Sequence, residues 1–375
     1  MPTLAVAAVS ARMLAEAAAR DGYAVRALDC FGDLDTRRAS GSWHDIGSRD
    51  GGLRIGAVRA LAALRELAAQ ADLIGWIAGS GFEGEPELVE QGAALLPLLG
   101  TAPAALRRLP TPRVFFERLD ALGIAHPETR FEPPRHAEGW LCKDAGGHGG
   151  WHVRRLPEGG DGDVPPASGR HFQREAPGTP MSATFIADRR EARLLGFNRL
   201  LVHRFGARPF VHGGVIGPLP LPPGPARAVL DATQALTREF AVAGLASLDF
   251  LLDGDAVSVL ELNARPSASM ALYGEGWMRA HVQVCTAGEL PAVAQTRAGV
   301  AGHEIIYARR PLQLSAVAAA GLEAMPCCHD LPAAGTRFAT GDPLCSHDAR
   351  AADVAQLQTL LAAQREALCN ILEAS

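Results

Sequence analysis

Residues 248–265, LDFLLDGDAVSVLELNAR, have the pattern of a β-hairpin. Apolar and polar residues alternate on both sides of the turn sequence DGD, and a period of two is typical of strands. In the second strand this alternation predicts two faces, one with Leu260 and Leu262 and the other with Val259, Glu261 and Asn263. The segment therefore predicts paired antiparallel strands that carry polar side chains on one face.

Those polar side chains form a candidate metal site. Asp249 lies in the first strand, and across a short hairpin it can approach Glu261 on the same face. Two carboxylates and the Asn263 carboxamide offer hard oxygen ligands, which suit Mg²⁺ that shares its shell with phosphate oxygens. Arg265 points the same way and can bind a phosphoryl or carboxylate oxygen. The alternative is a polar, solvent-facing side of a sheet.

A second candidate lies upstream, in KDAGGHGGWHV (residues 143–153). Lys143 is the single lysine among 36 lysine and arginine residues. A compact ammonium and a broad guanidinium are not interchangeable at a tight phosphate site, so this lysine is a candidate phosphate ligand. The glycines that follow expose backbone N–H groups, which can bind an anion. The alternative is a flexible hairpin between two strands.

The third candidate is FQREAPGTPMSATFIAD (residues 172–188), which predicts a strand, a Gly/Pro turn and a second strand opened by Ser182. The backbone and polar groups of residues 173–176 could hydrogen-bond the edge of a nucleobase. A plain hairpin explains the same residues.

The first hundred residues alternate between strand and helix patterns. TLAVAAV (3–9) and AVRALDC (24–30) predict strands, and VRALAALRELAAQADL (58–73) predicts an amphipathic helix. Such alternation favours a parallel sheet with helices on both faces, and Ser10 falls at the carboxyl end of its first strand, where ligands bind in such folds. The loop GSGFEGEP (79–86) could face a substrate or be a surface turn. A further helix is predicted from Arg113 to Leu122.

The composition excludes several classes of protein. The 375 residues carry a net charge of −5, which argues against nucleic-acid binding, and no apolar run approaches the length of a membrane span. The seven cysteines are scattered without a CxxC, which argues against disulfides and a zinc ribbon and favours reduced thiols in the cytoplasm.

The order of these motifs resembles the ATP-grasp superfamily over roughly residues 100–275. The match consists of the lysine with its glycine-rich loop, then Q-x-x-x-x-G-x-x-x-S from Gln173 to Ser182, then D-(11 residues)-E-x-N-x-R from Asp249 to Arg265. The resemblance implies an α/β fold that is α+β in the grasp region, with an N-terminal Rossmann-like domain before a grasp with a small lid. The implied units are a domain at 1–105, a linker helix at 106–127, the lid at 128–187 and the core with the C-terminal region at 188–375.

The resemblance also implies roles for residues. Lys143 and Arg265 would be catalytic, Asp249, Glu261 and Asn263 would bind two Mg²⁺ ions, and ATP would be the nucleotide. The implied nucleotide-binding residues are Lys143, the lid loop residues Gly146, Gly147, His148, Gly149 and Gly150, the adenine-side residues Gln173, Arg174, Glu175 and Ala176, and Arg113. Arg113 takes the position of a second phosphate-binding lysine that many members have.

A narrower resemblance rests on residues 10–33, 79–83, 213–221 and 332–346. These segments are similar to carboligase-like ATP-grasp proteins encoded with tetrahydromethanopterin- or methylofuran-linked one-carbon genes. The implied activity is an ATP- and Mg²⁺-dependent carboxylate–amine ligase that forms an acyl phosphate, acts on a small carboxylic acid and an amine, and could form a homodimer. Two alternatives stay open: a carboxylase-type enzyme that makes carboxyphosphate from bicarbonate, and a nucleotide-binding subunit without turnover.

Overall fold

The structure is a computed structural model that describes residues 1–49, 53–156, 169–292 and 298–373. Its main sheets are a four-stranded parallel sheet at the N-terminus, a four-stranded antiparallel sheet, called the small sheet, and an eight-stranded antiparallel sheet, called the large sheet. Within the described residues, no helix combines the length and apolar character needed to cross a membrane.

The N-terminal unit is a parallel sheet in the order β3-β2-β1-β4. Alternate residues of β1 face opposite sides: Leu4 and Val6 pack with α1, whereas Ala5 and Ala7 pack with α3. Helices therefore cover both faces, as the sequence predicted. The strands are β1 (Thr3–Ala7), β2 (Ala24–Asp29), β3 (Ser42–Asp45) and β4 (Leu73–Ala78), and the helices are α1 (Arg12–Arg20), α2 (Leu34–Arg38), α3 (Ala57–Ala68) and α4 (Pro86–Leu95).

Two helices lead out of this unit, α5 (Pro103–Arg108) and α6 (Pro112–Ala121). The second confirms the helix predicted near residues 113–122. Its buried Phe115 and Phe116 pack into the core of the large sheet, and Gly123 follows it with φ of +67°, the left-handed backbone that ends many helices.

The small sheet has the order β5-β8-β6-β7 and a compact apolar core that includes Trp140, Cys142 and Phe172. Its strands are β5 (Thr129–Arg130), β6 (Trp140–Asp144), β7 (Val153–Arg155) and β8 (Arg170–Arg174). The glycine-rich loop joins β6 to β7. The position of the loop between two antiparallel strands matches the sequence prediction.

The large sheet has the order β13-β12-β9-β10-β11-β14-β18-β16. Helix α7 covers one part of it through Val229, Leu236 and Phe240, and α10 covers another through Leu357 and Leu361. The elements are β9 (Thr179–Asp188), β10 (Ala192–Phe205), β11 (Arg208–Leu219), α7 (Pro223–Phe240), β12 (Ala243–Asp253), β13 (Ala256–Asn263), a 3-10 helix (Ala268–Tyr273), α8 (Trp277–Ala287), β14 (Val300–Tyr307), β15 (Leu312–Gln313), α9 (Ala316–Glu323), β16 (Cys328–His329), β17 (Arg337–Phe338), β18 (Pro343–Ala351) and α10 (Val354–Glu373).

Strand β9 belongs to the large sheet, where it pairs with β10 and β12. The change from the small sheet to the large one therefore occurs near Gly178, with φ of +123°, and not at residue 187. The plain-hairpin alternative for residues 172–188 would pair the second strand with the preceding one, but β9 pairs with β10 and β12. The Pro177–Gly178 break instead lets the chain leave the small sheet, because proline offers no N–H to continue a ladder.

Candidate functional site

A cavity of about 1050 Å³ is lined by residues from all three main sheets. Ser10, at the carboxyl end of β1, lines it as predicted. The sequence-predicted residues that line it are Lys143, His148, Gly149, Gly150, Gln173, Arg174, Glu175, Ala176, Asp249, Glu261, Asn263 and Arg265. Gly146, Gly147 and Arg113 are not part of the lining.

The predicted hairpin forms one wall of this cavity. Asp249 on β12 lies directly opposite Glu261 on β13. The Asn263 amide nitrogen donates to both, at 3.3 Å to Asp249 Oδ2 and 3.2 Å to Glu261 Oε1. Burial and then the adjacent charge of Glu261 raise the pKa of Asp249 well above its ordinary value, with Arg265 opposing. The positive charge of Arg265 therefore does not neutralise this pair of carboxylates. Their oxygen atoms are suitable ligands for a divalent cation such as Mg²⁺.

A β-bulge changes which residues share this wall. The register shifts between Asp249 and Phe250, so that Phe250 pairs with Val259 and one residue of β13, Leu260, has no opposite partner. Val259 is therefore buried in the core with Leu262, while Leu260 lines the cavity. The predicted faces were wrong for Val259 and Leu260, because a one-residue bulge reverses the alternation.

Lys143 contributes a positive charge to the same cavity. Its Nζ donates to Gln173 Oε1 at 2.6 Å, and Gln173 Nε2 in turn donates to Thr129 Oγ1 at 3.1 Å. Gln173 is 1% exposed, so its amide is fixed and orients the lysine. Burial lowers the pKa of Lys143, and the charge of Glu261 counteracts this. The Lys143 ammonium and the Glu261 carboxylate thus interact electrostatically across the cavity.

The glycine-rich loop lies closed against its surroundings. The His212 N–H donates to the Gly149 carbonyl at 2.9 Å, and Trp151 packs on Phe205 and Tyr307. At Gly146, which has φ of +73°, an added Cβ would lie 2.6 Å from the Cα of Gly84. The glycines therefore permit a close approach between the loop and the N-terminal unit.

Gly150→Ala is expected to weaken loop closure. Its Cβ would overlap the carbonyl oxygen of Phe210, whereas Gly149→Ala, at a similarly positive φ, would place its Cβ no closer than 3.6 Å to Trp151. Forced overlap typically costs ~1–3 kcal/mol, so we expect MgADP affinity to fall about tenfold in Gly150→Ala. Calorimetric titration measures this. Equal affinities in the two variants would contradict a role for the closed loop.

The residues predicted at the adenine end lie at the end of β8 and line the cavity. Arg155 on β7 pairs with Glu175 at 2.5 Å, and Arg174 Nη1 donates to the Glu138 carbonyl at 2.8 Å. These contacts fix Arg174 and Glu175 at the rim. Contact with a base stays a prediction for residues 173–176.

Arg265 connects the β12–β13 hairpin to the N-terminal unit. Its Nη2 donates to Asn263 Oδ1 at 3.3 Å, and its Nε donates to Glu83 in the loop of residues 79–86. Burial acts to raise the pKa of Glu83, but the charge of Arg265 prevails and holds it below the ordinary value. Glu83 was not among the predicted site residues. The glycines and acidic residues of its loop are compatible with a substrate-facing site, but a surface turn explains the same composition equally well.

Arg113 lies apart from these groups in the structure. It is exposed, pairs with Glu117 at 3.7 Å along α6, and its guanidinium lies over the Phe131 ring at 4.3 Å from the centroid. A role in phosphate binding therefore stays a prediction that would require the side chain to turn.

A family model described as an ATP-grasp domain matches residues 113–269. The chain contains an ATP-grasp domain. The match begins at Arg113 and includes all of the predicted site residues. A search of curated protein sequences finds no match.

Solved structures support the same ATP-grasp fold. An L-amino acid ligase from Bacillus licheniformis is 14% identical, with a TM-score of 0.72, and the match covers 98% of this chain and 97% of that one. A biotin carboxylase from Campylobacter jejuni, in complex with a β,γ-ATP ligand, is 14% identical, with a TM-score of 0.70 and coverage of 95% and 89%. Pyruvate carboxylase from Rhizobium etli is 13% identical, with a TM-score of 0.71 over 98% of this chain, which spans 39% of that enzyme.

Proposed function

We propose that the protein is an ATP- and Mg²⁺-dependent carboxylate–amine ligase that forms an amide through an acyl phosphate. The observation that carries the proposal is the facing pair Asp249 and Glu261, with Asn263 beside it, in the same cavity as Lys143. This arrangement provides ligands for metal ions and a cation for phosphates. Both are what transfer of a γ-phosphoryl group requires.

Each residue has a defined task in this proposal. Asp249, Glu261 and the Asn263 carboxamide oxygen would hold two Mg²⁺ ions, whose charge neutralises the β- and γ-phosphates. Rotating the Asn263 amide by half a turn directs its oxygen toward the carboxylates. Lys143 and the backbone N–H groups of loop residues 148–150, which line the cavity, would bind phosphate oxygens, and the closed loop would keep water from the acyl phosphate.

The bond changes are those of an acyl-phosphate ligase. The substrate carboxylate attacks the γ-phosphorus, which gives the acyl phosphate and ADP. The amine nitrogen then attacks the acyl carbon, loses a proton, and the C–O bond to phosphate breaks to leave the amide and inorganic phosphate. Arg265 would orient the carboxylate and stabilise the oxyanion, because its guanidinium offers several fixed donors.

The carboxylase-type alternative would use the same residues, Asp249, Glu261 and Asn263, with bicarbonate as the acid. The size of the cavity favours organic substrates, since about 1050 Å³ lies just above the ~300–1,000 Å³ typical of a single small-molecule site. A binding subunit without turnover is less favoured because it would need neither the complete carboxylate set nor Arg265.

The biological setting is proposed from sequence resemblance alone. The segments at 10–33, 79–83, 213–221 and 332–346 support a role in making a one-carbon carrier of the tetrahydromethanopterin or methylofuran type. The seven cysteines are free thiols, which supports a reducing compartment such as the cytoplasm.

The proposal is tested by ADP release from MgATP in the presence of a panel of carboxylic acids, with hydroxylamine as the trapping amine. We expect at least one acid to produce ADP and a hydroxamate in equal amounts, and none to do so in Glu261→Gln. ADP release that depends on bicarbonate and gives no hydroxamate would favour the carboxylase instead. Tight MgATP binding without ADP release from any acid would favour the binding subunit.

A further inference from the structure

One part of the cavity lies outside the matched domain. It is formed by α1, the residues before α2 and the segment that follows β16, and its polar lining includes Ser10, Arg12, Glu16, Asp33, His329 and Asp330. We refer to these six residues as the acidic end. It joins the N-terminal unit to the C-terminal third of the chain.

Most carboxylates of the acidic end already accept hydrogen bonds from other groups of the protein. Asp330, at a positive φ of 55°, accepts from Arg12 Nε at 3.0 Å, from Ser10 Oγ at 3.2 Å and from Ser346. Glu16 accepts from Arg12 Nη1 at 3.0 Å. The adjacent Asp35 accepts from the N–H of Asp330 at 2.7 Å. The single guanidinium of Arg12 thus holds several carboxylates together.

Asp33 is different. It is only 8% exposed, lines the cavity, and its carboxylate makes no hydrogen bond or ion pair within the residues that the structure describes. The Asp33 carboxylate reaches the open cavity and receives no donor from the described protein, so a ligand in the cavity can supply one.

The neighbouring cations are engaged elsewhere. Arg37 donates to the Gly32 carbonyl at 2.8 Å and lies over the Trp43 ring, while Arg20 lies 4.0 Å from Glu16. His329 pairs with Asp348 at 3.2 Å. Burial and then Arg12 lower the pKa of His303 to about 3, so this histidine adds no charge at neutral pH.

We propose that the acidic end binds the amine substrate of the ligase, with Asp33 accepting from its ammonium group. The inference rests on the proposed function and assigns the two substrates to opposite charges: the acid to Arg265 and the amine to Asp33. An anionic ligand would be repelled by Asp33, Asp35 and Asp330, whereas an ammonium group supplies the missing donor and positive charge.

The electrostatics of Asp33 agree with this assignment. Burial, followed by the charges of Asp330, Asp29 and Asp35, raises its pKa to about 8, and Arg12 opposes the shift. Asp29 itself is fully buried and satisfied by the backbone N–H groups of Ala11 and Gly32. A bound cation would reverse this shift, because an opposite charge favours the ionised carboxylate.

A metal ion is the competing occupant. Ligand atoms of Glu16, Asp35 and His329 lie within 4.8 Å of one another. Arg12 already binds Glu16 and lies 3.8 Å from Asp35, so a guanidinium fills the position between these carboxylates. The geometry therefore favours an organic cation at Asp33 over a metal ion.

The test compares amines with alcohols of the same shape. Phenethylamine and 1,4-diaminobutane, and their controls 2-phenylethanol and 1,4-butanediol, are titrated into the full chain with and without saturating MgADP. We expect an amine to bind and its alcohol to bind about tenfold more weakly or not at all, because the charge pairing is lost.

The deciding variant is Asp33→Asn, which keeps the shape and removes the charge, with Glu366→Gln on the exposed face of α10 as control. We expect Asp33→Asn to lose about tenfold in amine affinity while MgADP affinity is unchanged. Absence of amine binding, equal binding of amines and alcohols, or unchanged amine affinity in Asp33→Asn would overturn the inference. So would Zn²⁺ binding that is lost in Asp35→Asn without amine binding. Failure of MgADP to bind would instead count against the proposed function.

Discussion

Glu261→Gln is expected to abolish ATP turnover while leaving the protein folded. The change replaces one of two facing carboxylates by a neutral amide of the same shape, so the charge that holds Mg²⁺ is halved. We expect kcat/KM to fall by about 10³-fold or more, at or beyond the upper end of the loss from removing one electrostatic contact to a transition state. The measurement is the rate of ADP release in the acid-dependent assay.

Folding is not expected to suffer in this variant. Glu261 is exposed and raises the pKa of the partly buried Asp249, so its neutralisation relieves repulsion. The control is Asp255→Asn, at the exposed turn of the same hairpin, which should retain wild-type activity. Near-normal turnover in Glu261→Gln, at an unchanged melting temperature, would contradict the metal assignment.

Lys143→Arg is expected to be the second most damaging change, although it preserves charge. Lys143 is partly buried, and its ammonium is 2.6 Å from Gln173 Oε1, in a position that a planar guanidinium cannot occupy without displacing that amide. We expect kcat/KM for ATP to fall by about 10²-fold, within the range observed for loss of one charge-stabilising donor. MgADP affinity measured by calorimetry should fall with it.

The matched control exchanges the same residue types in the opposite direction. Arg227→Lys changes an exposed arginine that pairs with Asp231 along α7 at 2.8 Å, and surface pairs of this kind contribute little. We expect wild-type activity there. A Lys143→Arg enzyme as active as Arg227→Lys would show that the single lysine survives for a reason other than phosphate binding.

Local patterns predicted the main architecture because local physics determines it. Alternating strand and helix patterns led to a parallel sheet, and the DGD turn led to the β12–β13 hairpin that brings Asp249 opposite Glu261. Both follow from short-range periodicity and turn chemistry. The ATP-grasp resemblance was confirmed at the level of the superfamily and the fold.

Other features depend on contacts that no local pattern encodes. The bulge at Leu260 adds one unpaired residue to a strand that otherwise alternates normally. Arg12, Asp33 and Asp330 become neighbours only when the C-terminal third packs on the N-terminal unit. Glu83 and Arg265 are 182 residues apart in the sequence, so their contact lies far outside the hairpin motif. These contacts can be recognised only in the tertiary structure, because the residues that form them do not follow any regular spacing along the sequence.

The central claim, that this cavity binds a nucleotide through a metal held at the hairpin, is tested most directly by one calorimetric comparison. MgADP is titrated into the wild-type protein and into Asn263→Ala. The account predicts clear binding to the wild type and a loss of about tenfold or more in the variant, which removes a metal ligand beside the paired carboxylates. Binding of equal strength to both proteins, or binding to neither, would contradict it.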